Sequence, residues 1–392
     1  MTALSLDHDA MIDGVARALA ADGEPPSGAA VARALRAQTS ALISDAELLR
    51  LIRLVQRELV GAGPLAALLA EPDTTDVVVN SPGDVRVDRG QGWEAAGVSF
   101  ADDAAVARLA RRLAAAAGRR LDEAQPFVDA RLPDGTRLHA VLPPLAASGT
   151  CVSLRVLRPA RHDLAALAER GSLPGVAGAT VRAVVAARLA FLVAGGTGSG
   201  KTTLLGAVLS AVPSAERIVT VEDAEELRPQ HPHVIRLVAR TANVEGAGGI
   251  VLRELLRQAL RMRPDRIVVG EVRGAEVVDL LTALNTGHDG GGGTVHANTA
   301  AEVPARLEAL AAMGGVDRLA LHAQLAGAVQ VVLHLRRVGT RRVLHEIGVV
   351  RSAAGLVGVL PAVVDGIPVD PGAGLLEDLM GRRGISAPWT PP

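Results

Sequence analysis

The sequence predicts an α/β protein: a P-loop nucleotide-binding core on a parallel-type sheet, preceded by a smaller α/β domain and an N-terminal helical segment. Three observations carry this expectation. The apolar run Leu189–Ala194 leads directly into Gly195-Gly196-Thr197-Gly198-Ser199-Gly200-Lys201-Thr202-Thr203, and the helix-forming stretch Leu204–Leu209 follows. That is the spacing and context of a phosphate-binding P-loop. Two more apolar runs, Arg217–Val221 and Arg266–Gly270, end in Glu222-Asp223 and Glu271. Strands that alternate with helices in this way build parallel sheets, whose ligands gather beyond the carboxyl ends of the strands.

Residues 1–60 read as helices, with apolar residues at helical spacing through Ile12–Leu19, Ala30–Leu35 and Leu48–Leu59, interrupted at Gly23–Gly28. Residues 61–157 form the small α/β domain. Its expected strands are Asp76–Asn80 and Asp84–Asp88 around a Ser81-Pro82-Gly83 turn, then Leu132–Leu142 and Cys151–Leu157, with a helix over Ala104–Ala117. Residues 158–174 read as a linker opening with Arg158–Asp163, residues 175–365 as the nucleotide-binding domain, and residues 366–392 as a loosely ordered tail rich in Pro and Gly.

Composition narrows the class. With 49% hydrophobic and 21% charged residues, 392 residues suffice for two or three well-buried cores. The net charge of -1 argues against nucleic acid as a partner, since such binding needs a large basic footprint. The single cysteine, Cys151, excludes an internal disulfide and suits a reducing compartment. No run reaches the roughly 18 apolar residues of a membrane span, and the N-terminus lacks a signal-like core, so a cytoplasmic protein is expected.

In the P-loop the glycines let the backbone turn tightly and aim N–H groups at anionic oxygens, and the helix after it adds its positive dipole end. Lys201 supplies a slim cation for the terminal phosphates, and the Thr202 hydroxyl can ligate Mg²⁺. The chain's 41 basic residues comprise 40 arginines and one lysine, which is Lys201. A compact ammonium is evidently required where a planar guanidinium does not fit. With no tyrosine and 1% aromatic residues, an adenine base is expected to meet aliphatic or arginine contacts.

Glu271 stands where a nucleotide hydrolase needs a carboxylate to orient water and shape Mg²⁺ coordination. Glu222 and Asp223 form a second acidic pair, suited either to Mg²⁺ or water or to a helix N-terminus. His288 and His296 bracket a run of four glycines, Gly290–Gly293, within a stretch flanked by Asn285 and Asn298. They lack the further ligands of a zinc site and read as a mobile sensor of the γ-phosphate.

Taken in order, these motifs resemble those of the type II/type IV secretion ATPases, most closely the branch serving tight-adherence (Flp-type) pilus assembly. Gly195–Thr203 is similar to the family's Walker A, Glu222–Leu227 to its Asp box, Arg261–Gly274 to its Walker B region and His288–Asn298 to its His box. Gly118–Glu123 and Ala130–Arg137 look like elements of its first domain, so the resemblance spans roughly residues 60–350. It implies a RecA-like core, a hexameric ring at the inner face of the cytoplasmic membrane, MgATP between the two domains of a subunit, and platform proteins as partners. It also implies that Arg137 and Arg155 act as arginine fingers, the alternative being solvated strand arginines. The glycine run departs from the family pattern and suggests a looser His-box loop. Two other readings stay open: a DNA-transfer or helicase-like motor, and a non-enzymatic nucleotide-dependent scaffold.

Overall fold

The computed structural model describes residues 11–12, 14–15, 17–19, 27–38, 44–156, 163–240, 247–339 and 341–390, apart from Val60. The expected break at Gly23–Gly28 and the opening of the linker lie largely outside these. The chain divides into two compact units, Met1–Leu157 and Arg158–Pro392.

The first unit contains an antiparallel six-stranded sheet of β1 (Asp76–Ser81), β2 (Asp84–Asp88), β3 (Trp93–Ala95), β4 (Phe127–Arg131), β5 (Arg137–Val141) and β6 (Cys151–Arg155), in the order β3-β2-β1-β6-β5-β4. Alternation places Val77, Val79, Val85, Val87, Leu138 and Leu154 on one face, against Val106, Leu109 and Leu113 of the helix Asp103–Ala116. Asp102 caps that helix by accepting from the Ala105 amide at 2.7 Å. The sequence led us to expect one strand through Leu132–Leu142. Instead Asp134-Gly135 turns the chain between β4 and β5, with Gly135 at φ +93° and the Asp134 carboxylate accepting from the Thr136 amide at 2.9 Å. The helices Gly28–Gln38 and Asp45–Leu59 contribute Val31, Leu35, Leu51 and Val55 to a smaller apolar cluster with Met11, Val15 and Leu19.

The second unit is built on a mixed nine-stranded sheet. Its strands are β7 (Phe191–Gly195), β8 (Ile218–Glu222), β9 (Val234–Val238), β10 (Arg266–Val272), β11 (Gly292–Val295), β12 (Val331–Val338), β13 (Arg341–Ala353), β14 (Leu356–Val364) and β15 (Ile367–Pro368), ordered β15-β14-β13-β12-β7-β11-β10-β8-β9. The strands from β9 to β12 pair in parallel, as expected, and β13, β14 and β15 extend the sheet in antiparallel fashion. One face is covered by the helices Ala177–Ala186, Lys201–Ser210 and Gly372–Gly381, the other by Leu252–Ala259, Glu276–Asn285, Val303–Met313 and Arg318–Ala328. Both faces are therefore buried, which is why β7 and β8 read as continuous apolar runs.

Two sequence expectations change here. Gly292 and Gly293 belong to β11 and are buried, so the glycine run enters the sheet and is not a loose loop. The stretch expected to be a loose tail carries the helix Gly372–Gly381, whose Leu376 and Met380 are fully buried in the core. Among the described residues no helix is long and apolar enough to cross a membrane. Leu376→Ala is expected to destabilise the second unit by about 3 kcal/mol, the cost of a buried leucine and its cavity, read by urea denaturation of the full chain; a change below about 0.5 kcal/mol would mean the helix is not part of the core.

Candidate functional site

The P-loop leaves the C-terminal end of β7, the central strand of the nine-stranded sheet. Its glycines answer real constraints. A Cβ on Gly195 would fall 2.5 Å from Ser199 Oγ and 2.6 Å from the Leu335 carbonyl, and Gly200, at φ +96°, forms the N-cap of the helix Lys201–Ser210. Lys201 is buried within this turn. Its Nζ donates to the carbonyls of Gly195 and Gly196, both at 2.9 Å, and lies 3.5 Å from His296 Nδ1. Burial pulls the Lys201 ammonium below the ordinary lysine range, with the Glu271 charge opposing.

His296 Nε2 in turn lies 2.7 Å from Glu271 Oε1. A neutral imidazole protonated at Nε2 satisfies both contacts, accepting from Lys201 and donating to Glu271. Glu271 reaches this place through a bulge: Val269 pairs with Gly293 and Val272 with Val295, so Gly270 and Glu271 together face Thr294. The extra residue bends β10 and re-aims the carboxylate. Thr294 Oγ donates to the Gly270 carbonyl at 2.7 Å and holds the bulge.

The acidic segment after β8 is arranged differently from its sequence reading. Glu222 is buried beneath the segment, Oε1 accepting from the amides of Glu226 at 3.1 Å and Leu227 at 2.9 Å. Its Oε2 is buried without a hydrogen-bond partner among the described residues, and burial pushes the carboxyl up to about 7. Gly270 makes room for it, since a Cβ there would lie 2.7 Å from Glu222 Cγ. The carboxylate that faces the P-loop is Glu226, with Oε2 accepting from Thr202 Oγ at 3.3 Å. Sequence reasoning missed Glu226 as a site residue, although it lies in the Glu225-Glu226 pair that ends the same acidic run. Asp223 is ion-paired with Arg273, just beyond Glu271.

The two histidines separate. His296 follows β11 and His288 precedes it, so the strand, roughly 13 Å long for four residues, stands between them. His288 Nδ1 contacts the Ala283 carbonyl at 3.0 Å, and the structure does not bring it to the P-loop. Thr197, Gly198 and Ser199 lie in the turn after β7, and Thr203 in the first turn of the helix Lys201–Ser210. Arg137 and Arg155 belong to the first unit, directly opposite each other on β5 and β6. Arg137 pairs with Asp129 at 2.7 Å and Arg155 with Asp76 at 2.8 Å.

No group of three or more His, Cys, Asp or Glu among the described residues forms a metal cage. The Thr202 hydroxyl with the Glu226 and Glu271 carboxylates is a hard-oxygen donor set, which fits Mg²⁺ carried largely by phosphates and water.

The buried Glu222 makes stability depend on pH. Its folded value lies above the ordinary glutamate value of about 4.5, so the folded state binds the proton more tightly and the stabilisation is lost as pH rises from about 4.5 to about 7. Wild-type stability is expected to fall by about 3 kcal/mol more than that of Glu222→Gln across this window. Urea denaturation at both ends checks this, and parallel pH profiles for the two proteins would rule it out.

Comparison with known proteins agrees with this geometry. The family described as Type II/IV secretion system protein matches residues 58–346. A Mycobacterium tuberculosis protein named for conjugal transfer is 59% identical over 350 residues, covering 87% of this chain and 99% of the relative. The type IV secretion system protein PtlH of Bordetella pertussis is 35% identical over 302 residues, covering 70% of this chain and 87% of PtlH. Among solved structures, the pilus retraction motor PilT with bound ADP superposes with a TM-score of 0.52 at 20% identity, covering 82% of this chain and 88% of PilT. The ATPase DotB of Legionella pneumophila gives 0.52 at 18%, covering 81% and 83%. These two share the fold, a RecA-like P-loop core. By its matched length and its motifs, the chain belongs to the Type II/IV secretion system protein family.

Proposed function

We propose that this protein is an ATPase motor of a type II/IV secretion-class machine, working as a cytoplasmic hexamer at the inner face of the membrane and driving assembly of a tight-adherence pilus or secretion across the envelope. The observation that carries the reading is the contact chain Lys201–His296–Glu271, which links the phosphate loop to a carboxylate suited to activating water.

The residues divide the work. Amides of Gly195–Thr203 and the dipole of the following helix bind the phosphates, and Lys201 exchanges its loop carbonyls for phosphate oxygens. Thr202, with Glu226 and Glu271 close to the loop, would hold Mg²⁺, which would supply charge neutralisation at the phosphates. Glu271 orients the attacking water and takes up its proton, while His296 holds the carboxylate oxygen and lies close enough to Lys201 to register phosphate binding. Glu222 shapes the segment that presents Glu226. Arg137 and Arg155 are proposed to serve as arginine fingers toward the nucleotide, and platform proteins of the membrane machine are the proposed partners.

The names of the relatives favour a second reading within the same class, a motor of conjugal transfer machinery. The net charge of -1 still speaks against nucleic acid as a direct ligand. Micromolar or tighter binding of single-stranded DNA in a filter assay at physiological salt would favour the second reading.

Purified protein is expected to hydrolyse ATP, with Glu271→Gln lowering kcat by at least about 100-fold while nucleotide still binds. Lys201→Arg is expected to lose turnover to a similar extent, because a guanidinium cannot occupy the space of the ammonium between the Gly195 and Gly196 carbonyls. Steady-state phosphate release measures both. Wild-type turnover in either variant would overturn the catalytic assignment, and a purified chain with no turnover at all would support the scaffold reading instead.

A further inference from the structure

A cavity of about 280 Å³ opens beside the P-loop within the second unit. It is shared by Ser199, Gly200 and Thr203 of the loop and by three guanidinium side chains, Arg170, Arg341 and Arg342. Arg170 forms the C-cap of the helix Leu164–Glu169, and Arg341 and Arg342 open β13. The cavity is near the lower end of small-molecule sites, roughly 300 Å³, and apolar contact comes from leucines such as Leu173 and Leu204.

The charge of this cavity is one-sided. No carboxylate lines it, and none of its three arginines forms an ion pair among the described residues. Other arginines of the same unit are matched by carboxylates, among them Arg266 by Glu216, Arg273 by Asp223 and Arg253 by Asp279. Arg342 also touches the loop: its Nε donates to the Gly198 carbonyl at 3.0 Å, and a Cβ on Gly200 would lie 3.2 Å from its Cδ. Neither Nη group of Arg342 has a hydrogen-bond partner among the described residues.

The P-loop fixes where the 5′-phosphates of a nucleotide lie, and Thr203, beside the Mg²⁺ threonine, borders the cavity. A nucleoside entering there meets three exposed guanidiniums and no carboxylate. A phosphate on the ribose would meet them with charge-assisted, fork-shaped hydrogen bonds. We propose that this cavity recognises a phosphate group on the ribose of a nucleotide whose 5′-phosphates occupy the P-loop. Nucleotides phosphorylated at both positions then bind more tightly than their 5′-only counterparts, compete with MgATP and inhibit turnover. The proposal rests on the P-loop reading given under Proposed function.

The test is competition against a fluorescent ATP analogue on the full chain with Mg²⁺, comparing 3′-phosphoadenosine 5′-diphosphate with ADP. The doubly phosphorylated nucleotide is expected to bind about tenfold more tightly, the advantage shrinking as salt is raised. The double variant Arg170→Ala/Arg341→Ala, which spares the Arg342 contact with the loop, should bring the two ligands within about twofold of each other. Arg341→Glu should reverse the preference. Equal affinities in the wild type overturn the proposal, as does an advantage that survives both variants. If ADP binds in a Lys201-dependent way without any advantage for the second phosphate, the P-loop reading stands and only this inference falls. If neither ligand binds, both fall.

Discussion

The tight passage of β11 between β7 and β10 is the constraint on which the site depends. A Cβ on Gly292 would lie 2.1 Å from the Phe191 carbonyl oxygen, and one on Gly293 2.7 Å from that of Val269. Side chains at these positions would push the neighbouring strands apart. Because β11 is nearly bare there, the P-loop strand and the Glu271 strand are held one strand apart, and His296 emerges between their ends. Its ring can then meet Lys201 on one side and Glu271 on the other.

The same sheet is anchored at its far end by a buried charge. Arg266 begins β10 with no solvent exposure, and Glu216 accepts from its Nε at 2.7 Å and from its Nη2 at 3.2 Å. The carbonyls of Gly290 and Val185 accept from its Nη1 and Nη2 at 3.2 and 3.0 Å. A guanidinium can be buried when its charge is paired and most of its hydrogens are bonded in this way. These bonds tie the start of β10 to the loop entering β11 and to the helix Ala177–Ala186. Glu222 is the opposite case. Only one of its oxygens is served, and its proton affinity rises accordingly.

Chemistry is distributed by strand order more than by sequence order. Residues before and after the P-loop meet because parallel strands all point their carboxyl ends one way. The antiparallel extension adds another source, since Arg342 at the start of β13 returns to the Gly198 carbonyl from 144 residues away. The helix Gly372–Gly381 closes the core beneath that extension, which explains why a stretch rich in Gly and Pro is nevertheless ordered. Its Leu375, Leu376, Leu379 and Met380 repeat at helical spacing and were available to be read.

The sequence alone determined the nucleotide loop, the two acidic strand ends, the single lysine and the parallel core. Each rests on local rules: glycine permits the turn, apolar runs bury on both faces, and phosphate chemistry demands a compact cation. Tertiary structure decided which acidic residue and which of the two histidines stand beside the P-loop. Glu226 and not Glu222 reaches Thr202, because Glu222 points inward and is spent on two backbone amides. His296 and not His288 reaches Glu271, because a strand runs between them. Sequence spacing could not show this, since the glycines that looked like freedom in a loop are, in the sheet, the means of a close approach.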